Sequence, residues 1–182
     1  MQTKIISAIA IFVTLLVLSA PLAFATTSNG VTITKVITCS DTSPDSLYTV
    51  PSGTYEQWGV LITVQNGNNL PITNVRVSDR FGGEFGVTDP PMAISQGTVQ
   101  YSYSGATNKV SIFWDVGTIA AHSSVSLWLK VYTDVNPGGQ QEFTSCGPHT
   151  MNSGAVAKWL DANGRQQSVA ADPIVITVIP PP

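Results

Sequence analysis

The stretch NGNNLPITNVRVSD, Asn66 to Asp79, and its partner WDVGTIAAHSSVSLWLKVYTDV, Trp114 to Val135, decide the fold. Each is a polar turn that feeds a strand with apolar residues at every second position. Val75 and Val77 alternate with Asn74, Arg76 and Ser78. Val125, Leu127, Leu129 and Val131 alternate with Ser126, Trp128 and Lys130. A period of two puts one set of side chains on one face of a pleated sheet, so both segments predict half-buried strands.

The same period recurs on either side. Strands are expected at Val31 to Thr38, Trp58 to Gln65, Ile72 to Asp79, Thr98 to Tyr103 and Val110 to Val116. Others follow at Ser124 to Tyr132, Ala155 to Leu160, Arg165 to Ala170 and Ile174 to Ile179. The tetrapeptide Asp161-Ala-Asn-Gly164 reads as a hairpin turn. The Gly- and Pro-rich RFGGEFGVTDPPM, Arg80 to Met92, interrupts the sheet. Short strands punctuated by Gly, Pro, Asn and Asp, with no amphipathic helix after the leader, predict an all-β antiparallel sandwich. Ile174 to Ile179 has only Thr177 as a polar residue, so it calls for apolar neighbours on both faces. Three prolines, 180–182, end it and would block extension of the sheet.

The leader reads as an export signal. Lys4 precedes the apolar run Ile5 to Leu18, Pro21 breaks it, and Ala23-Phe24-Ala25 fits the small-x-small cleavage rule, which puts the cut after Ala25. The run is short for a membrane span and no stop-transfer charge follows, so the mature chain is expected to have no membrane span. Residues 26–182 then form a single β-sandwich domain. A net charge of −3, with 10% of residues charged and no basic stripe, argues against nucleic acid as a partner. The neutral, Thr/Ser/Asn/Gly-rich surface screens weakly against self-association. Cys39 and Cys146 are expected to pair as a disulfide in an exported chain, closing a loop worth about 4–5 kcal/mol in lost unfolded-state entropy. Two separate thiols are the alternative.

The ordered strings VTITKVI, YEQWGVLITVQNGNNLPITNVRVSD, WDVGTIAAHSSVSLWLKVYTDV and NSGAVAKWLDANG resemble the conserved repeat domain of prokaryotic surface proteins. The resemblance covers roughly Val31 to Gly164. Its marks are a Thr-Lys near the start, a strand ending in Asn-x-Gly-Asn-like sequence, an Asp after the next strand, a Gly-x-Ile turn, and a late Asn among small residues. It implies an immunoglobulin-like sandwich of no assigned activity. His122 stands where the family usually has Gly, and the region between Asp79 and Trp114 does not align. The architecture is also similar to archaeal bundling pilins.

Sites for chemistry are sparse. His122 and His149 fall in predicted loops, and no Gly-x-Ser-x-Gly elbow accompanies them, so neither is expected to be catalytic. Asp41, Asp45, Asp79, Asp89, Asp134 and Asp161 fall mainly in predicted turns, where Asp bonds its own backbone. Asp79, Glu84 and Asp89 offer oxygen ligands for a loop calcium ion, set against an expectation of no metal and no cofactor. Trp128 and Tyr132 project from the face opposite the aliphatic one, and Tyr101 and Tyr103 share a face of their own strand. Such aromatics form a candidate binding face for sugar or for a neighbouring subunit.

The function expected from these features is that of a secreted, non-catalytic structural protein at the cell surface or in the extracellular matrix. Its partners would be copies of itself or other surface proteins. The concrete form is a filament or pilus subunit assembled by strand addition. Residues 26–38 would form the donor arm, with Val31, Ile33 and Ile37 filling a neighbour's groove. A carbohydrate-binding or adhesion module and a hydrolase on a sandwich scaffold are the alternatives.

Overall fold

Alternation at this density folds into two facing sheets. The computed structural model describes residues 25–40, 47–133, 143 and 145–181; residues 1–24 of the expected export signal, Asp41, Asp45, Asp134 and Pro182 lie outside the described residues. The first sheet runs in the order β1 (Ala25–Ser28), β2 (Val31–Ser40), β4 (Gln57–Asn66), β10 (Ser123–Thr133) and β6 (Phe85–Val87), and β7 (Ala93–Ile94) also pairs with β10. The second runs β13 (Gln166–Ala170), β12 (Val156–Leu160), β5 (Ile72–Phe81), β9 (Lys109–Ile119) and β8 (Thr98–Ser104). A third, small sheet holds β11 (Gly147–Thr150), β14 (Val175–Ile179) and β3 (Thr49–Pro51). Among the described residues there is no helix. The fold is an all-β immunoglobulin-like sandwich.

The core is the sum of the inward registers. Ile33, Val60, Ile62, Val64, Leu127, Leu129 and Val131 from the first sheet meet Val75, Val77, Ile112, Trp114 and Trp159 from the second, all buried. The two quoted stretches supply central strands: β5 pairs with β9, and β10 with β4 in unbroken register from Ser123↔Asn66 to Tyr132↔Gln57. Burying these side chains supplies the main driving force for the fold.

Four departures from the sequence reading have local causes. The polar stretch Thr26 to Gly30, the start of the expected donor arm, folds back as β1 on β2. Asn29 and Gly30 have φ of 45° and 71°, the two positive angles of a tight hairpin turn. The short strands β3, β6, β7 and β11 lie in Gly/Pro-rich or brief segments with too few residues to show a period. Pairing is antiparallel except that β14 runs parallel to β3. Finally, β14 buries Ile176 and Val178 on one face and leaves Val175 and Ile179 exposed, so its apolar run does not mark two covered faces.

Residues 147–179 form one long hairpin turned at Asp161, whose side chain accepts the N–H groups of Asn163 and Arg165. Below the turn β12 pairs with β13; farther on, β11 pairs with β14. Between them the ladder breaks at Asn152 to Ala155, framed by Met151 N–H to Ile174 O and Ala171 N–H to Ala155 O, each 2.8 Å. Gly154 is required there: its φ is +94°, and a Cβ would stand 2.4 Å from the Ala171 carbonyl oxygen. This break carries the chain from the second sheet into the small one and turns Asn152 into the core.

Candidate functional site

Between the sheets lies a cluster of three polar side chains. Lys35 takes the inward register on β2 between Ile33 and Ile37, Asp79 takes it on β5 between Val77 and Phe81, and Asn152 enters from the hairpin break. Residue exposures are 6%, 4% and 1%. Lys35 Nζ donates to Asp79 Oδ2 at 3.2 Å, and Asn152 Nδ2 donates to the same oxygen at 3.1 Å. Asp79 Oδ1 accepts the Arg80 N–H at 2.8 Å. Asn152 Oδ1 accepts the Ile174 N–H at 3.2 Å. Burial pushes the Lys35 ammonium down and the Asp79 carboxyl up, while their mutual attraction opposes both shifts. The sequence reading took Asp79 as a turn residue; it is a strand residue that points inward. Its visible signal was the register itself, since Lys35 and Asp79 occupy positions that the alternation assigns to apolar side chains.

A second buried polar residue closes the opposite turn. Asn66 donates to the carbonyls of Leu70, Ile119 and Ala120 and accepts the Asn68 N–H, which pins the β4–β5 loop to the end of β9. His122 at the neighbouring turn has φ of 54°, which explains why Gly suits this position; its Nε2 meets Asn69 Oδ1 at 2.9 Å.

The candidate aromatic face divides between the two sheets. Trp128 and Tyr132 lie on the outer face of the first sheet. The Tyr132 ring covers Gly86, and Tyr55 sits beside it with ring centroids 6.3 Å apart. The Trp128 indole lies over Gly59, where a Cβ would stand 2.8 Å from Nε1 and 2.6 Å from Cys39 Sγ. That Nε1 finds no hydrogen-bond partner among the described residues. Tyr101 and Tyr103 belong to β8 and turn toward the side of Ile112 and Val110. Burial pushes the Tyr101 phenol up to about 12, with Asp89 adding to the effect; Tyr103 is 65% exposed and bonds Asn108.

The predicted disulfide is absent. Cys39 and Cys146 are both free and exposed. Cys39 lies against Trp128 in the first sheet, at the irregularity that follows Ile37, whereas Cys146 leads into β11 of the small sheet. Strand-end positions in the sequence carried no information about which sheet each thiol joins. The three loop carboxylates are likewise not gathered: Asp79 faces Lys35, and Glu84 pairs with His149 at 2.8 Å. His149 lies on β11, not in a loop, with its other nitrogen 2.9 Å from the Ser145 carbonyl and its ring edge-on to Phe143. Val31, Ile33 and Ile37 are fully buried in β2, between β1 and β4.

This sandwich is similar in fold to solved structures. It aligns with the full-length major pilin SpaD from Corynebacterium diphtheriae at a TM-score of 0.50 and 12% identity, over 80% of this chain and 35% of that one. It aligns with the RrgA Jo.In complex at a TM-score of 0.51 and 12% identity, over 81% of this chain and 79% of that one. At such identities the likeness shows the fold alone. In sequence, an uncharacterized protein of Archaeoglobus fulgidus is 29% identical over 133 residues, 72% of this chain and 44% of that protein. The chain therefore spans less than half the length of that relative. No family model matches the chain.

Proposed function

We propose that this chain is an exported, non-catalytic structural subunit of the cell surface or extracellular matrix, assembled into a filament by β-strand addition. The observation that carries this reading is the outer edge of β8. No strand pairs with it among the described residues. Its sequence, TVQYSYS from Thr98 to Ser104, has no charge, no proline and no glycine. Monomeric proteins guard such edges with those very residues, with bulges or with a covering segment, because a row of free N–H and C=O groups templates another strand. Elsewhere one edge is interrupted and another is tied at its end. Pro90 and Pro91 interrupt the one between β6 and β7, and Asn29 on the β1 turn bonds Gln167 on β13. The fold shared with a major pilin supports the same reading.

The donated strand in this reading is Val31 to Thr38, and Ile174 to Ile179 is the second candidate. Within one chain both are already paired, β2 between β1 and β4, and β14 between β11 and β3. Donating either strand to the β8 edge of a neighbour requires opening the closed form first, and that opening is the main cost of assembly. Light scattering and electron microscopy of the signal-cleaved protein test the proposal. The cleaved chain should form filaments, and a Gln100→Lys/Ser102→Lys variant should abolish them by charging the β8 edge. A cleaved chain that stays monomeric at high concentration ends the filament reading in favour of a binding module. Polymerisation of a chain lacking residues 26–38 shifts the donor role to Ile174 to Ile179.

Carbohydrate binding has one observation in its favour, the Tyr55–Tyr132 ledge beside Trp128. Titration with soluble polysaccharides, followed through tryptophan fluorescence, checks it.

A further inference from the structure

We propose that Lys35 and Asn152 become joined by an isopeptide bond, formed spontaneously once the chain has folded, which ties the first sheet to the C-terminal hairpin. The cluster contains everything the reaction consumes: a primary amine, a carboxamide, and a carboxylate positioned between them. Lys35 Nζ and Asn152 Nδ2 converge on one oxygen, Asp79 Oδ2, at 3.2 and 3.1 Å. The amine is thereby held beside the amide. Proximity of this kind replaces a bimolecular encounter in water, which is what makes an amide attackable. The Arg80 N–H fixes the other carboxylate oxygen, so Oδ2 is left facing the pair. The Ile174 N–H on Asn152 Oδ1 draws charge toward that oxygen, where charge develops as the carbonyl carbon becomes tetrahedral.

The steps balance without any outside reagent. Asp79 takes a proton from the Lys35 ammonium, and the freed lone pair on Nζ attacks Asn152 Cγ. The C=O electron pair moves to Oδ1 under the Ile174 N–H. Asp79 then hands its proton to Nδ2, the pair on Oδ1 returns to re-form the C=O bond, the Cγ–Nδ2 bond breaks, and its electron pair leaves with the departing ammonia. A second proton passes from Nζ to Asp79 as the new amide forms. Primary amine and primary amide thus become a secondary amide and ammonia, with no change of oxidation state. Ile33, Ile37, Val77 and Phe81 flank the cluster in the same inward registers, so water is excluded from the carbonyl carbon. Burial also favours the neutral amine over the ammonium, as the attack requires.

Mass spectrometry of the denatured, full-length mature protein, with its N-terminus determined, tests the bond. The expected intact mass lies about 17 Da below that of the sequence, one ammonia lost. A tryptic digest should show no cleavage after Lys35, with residues 131–158 attached to the peptide that ends at Arg76. Asp79→Asn should return the full mass while the far-ultraviolet dichroism stays that of a sheet protein. Asn152→Asp should lose water instead of ammonia and yield the same linked peptide. A folded wild-type protein at full sequence mass, with a free peptide ending at Lys35, overturns the proposal and leaves a non-covalent buried cluster. A linkage mapped to Asp79 overturns it equally. The wild-type measurement decides the matter even if every variant fails to fold.

Discussion

Strand β5 carries two ion pairs on opposite faces, and they differ in almost everything except separation. On the outer face Arg76 Nε stands 3.7 Å from Asp115 Oδ2, with side chains 74% and 57% exposed. On the inner face Lys35 Nζ stands 3.2 Å from Asp79 Oδ2, with side chains 0% and 1% exposed. Water screens the first pair, and holding two mobile side chains together offsets most of the attraction that remains. The second pair has no water to fall back on, so every lone pair and proton must find a protein partner. Asn152 and the Arg80 N–H provide partners for the carboxylate, and the Ile174 N–H in turn satisfies Asn152. Distance alone says little about an ion pair; its surroundings decide whether it is ornament or commitment.

Three variants can break or sharpen that contrast. Asp79→Ala should have the largest effect, since it strands the Lys35 ammonium in the core. Chemical denaturation should show a loss of about 3–5 kcal/mol from that cause alone. A loss no larger than that of an ordinary surface substitution would mean that the inner pair is as dispensable as the outer one. Next comes the joint replacement Lys35→Met with Asp79→Leu. Apolar residues of similar volume often substitute for a buried pair at no cost. If the pair is also the source of a covalent tie, the replacement removes the constraint of a long loop, worth about 4–5 kcal/mol. A denaturation midpoint unchanged from wild type would favour the purely electrostatic account. Smallest of all, Arg76→Ala should leave that midpoint where it was, at low and at high salt alike.

Much of the fold was legible because period-two alternation survives in long strands. β4, β5, β9 and β10 appear within a residue or a few of where the pattern puts them. The Asp161 to Gly164 turn also appears as read, because its chemistry is local. Strands of two to four residues, such as β6, β7 and β11, contain no full period and stayed invisible. The disulfide failed for a related reason: pairing depends on which sheet each thiol joins, and alternation does not report sheet membership. The polar cluster was half legible. The motifs behind the family resemblance include Lys35, Asp79 and Asn152, yet residues so far apart in the chain meet only through topology. The local hints were a lysine in a register otherwise filled by Val31, Ile33 and Ile37, and an aspartate in the register of Val75, Val77 and Phe81.

The break in the C-terminal hairpin has a consequence in time as well as in space. Synthesis delivers Lys35 and Asp79 first, and Asn152 reaches them only when β11 to β14 dock against the body. A molecule bearing the proposed bond has therefore already folded once, and the bond is a chemical memory of that event. Heat or denaturant can later erase the strands, but residue 35 stays attached to residue 152. Such a chain would search for its fold again as a closed loop, from a far smaller set of conformations than a newly made copy explores.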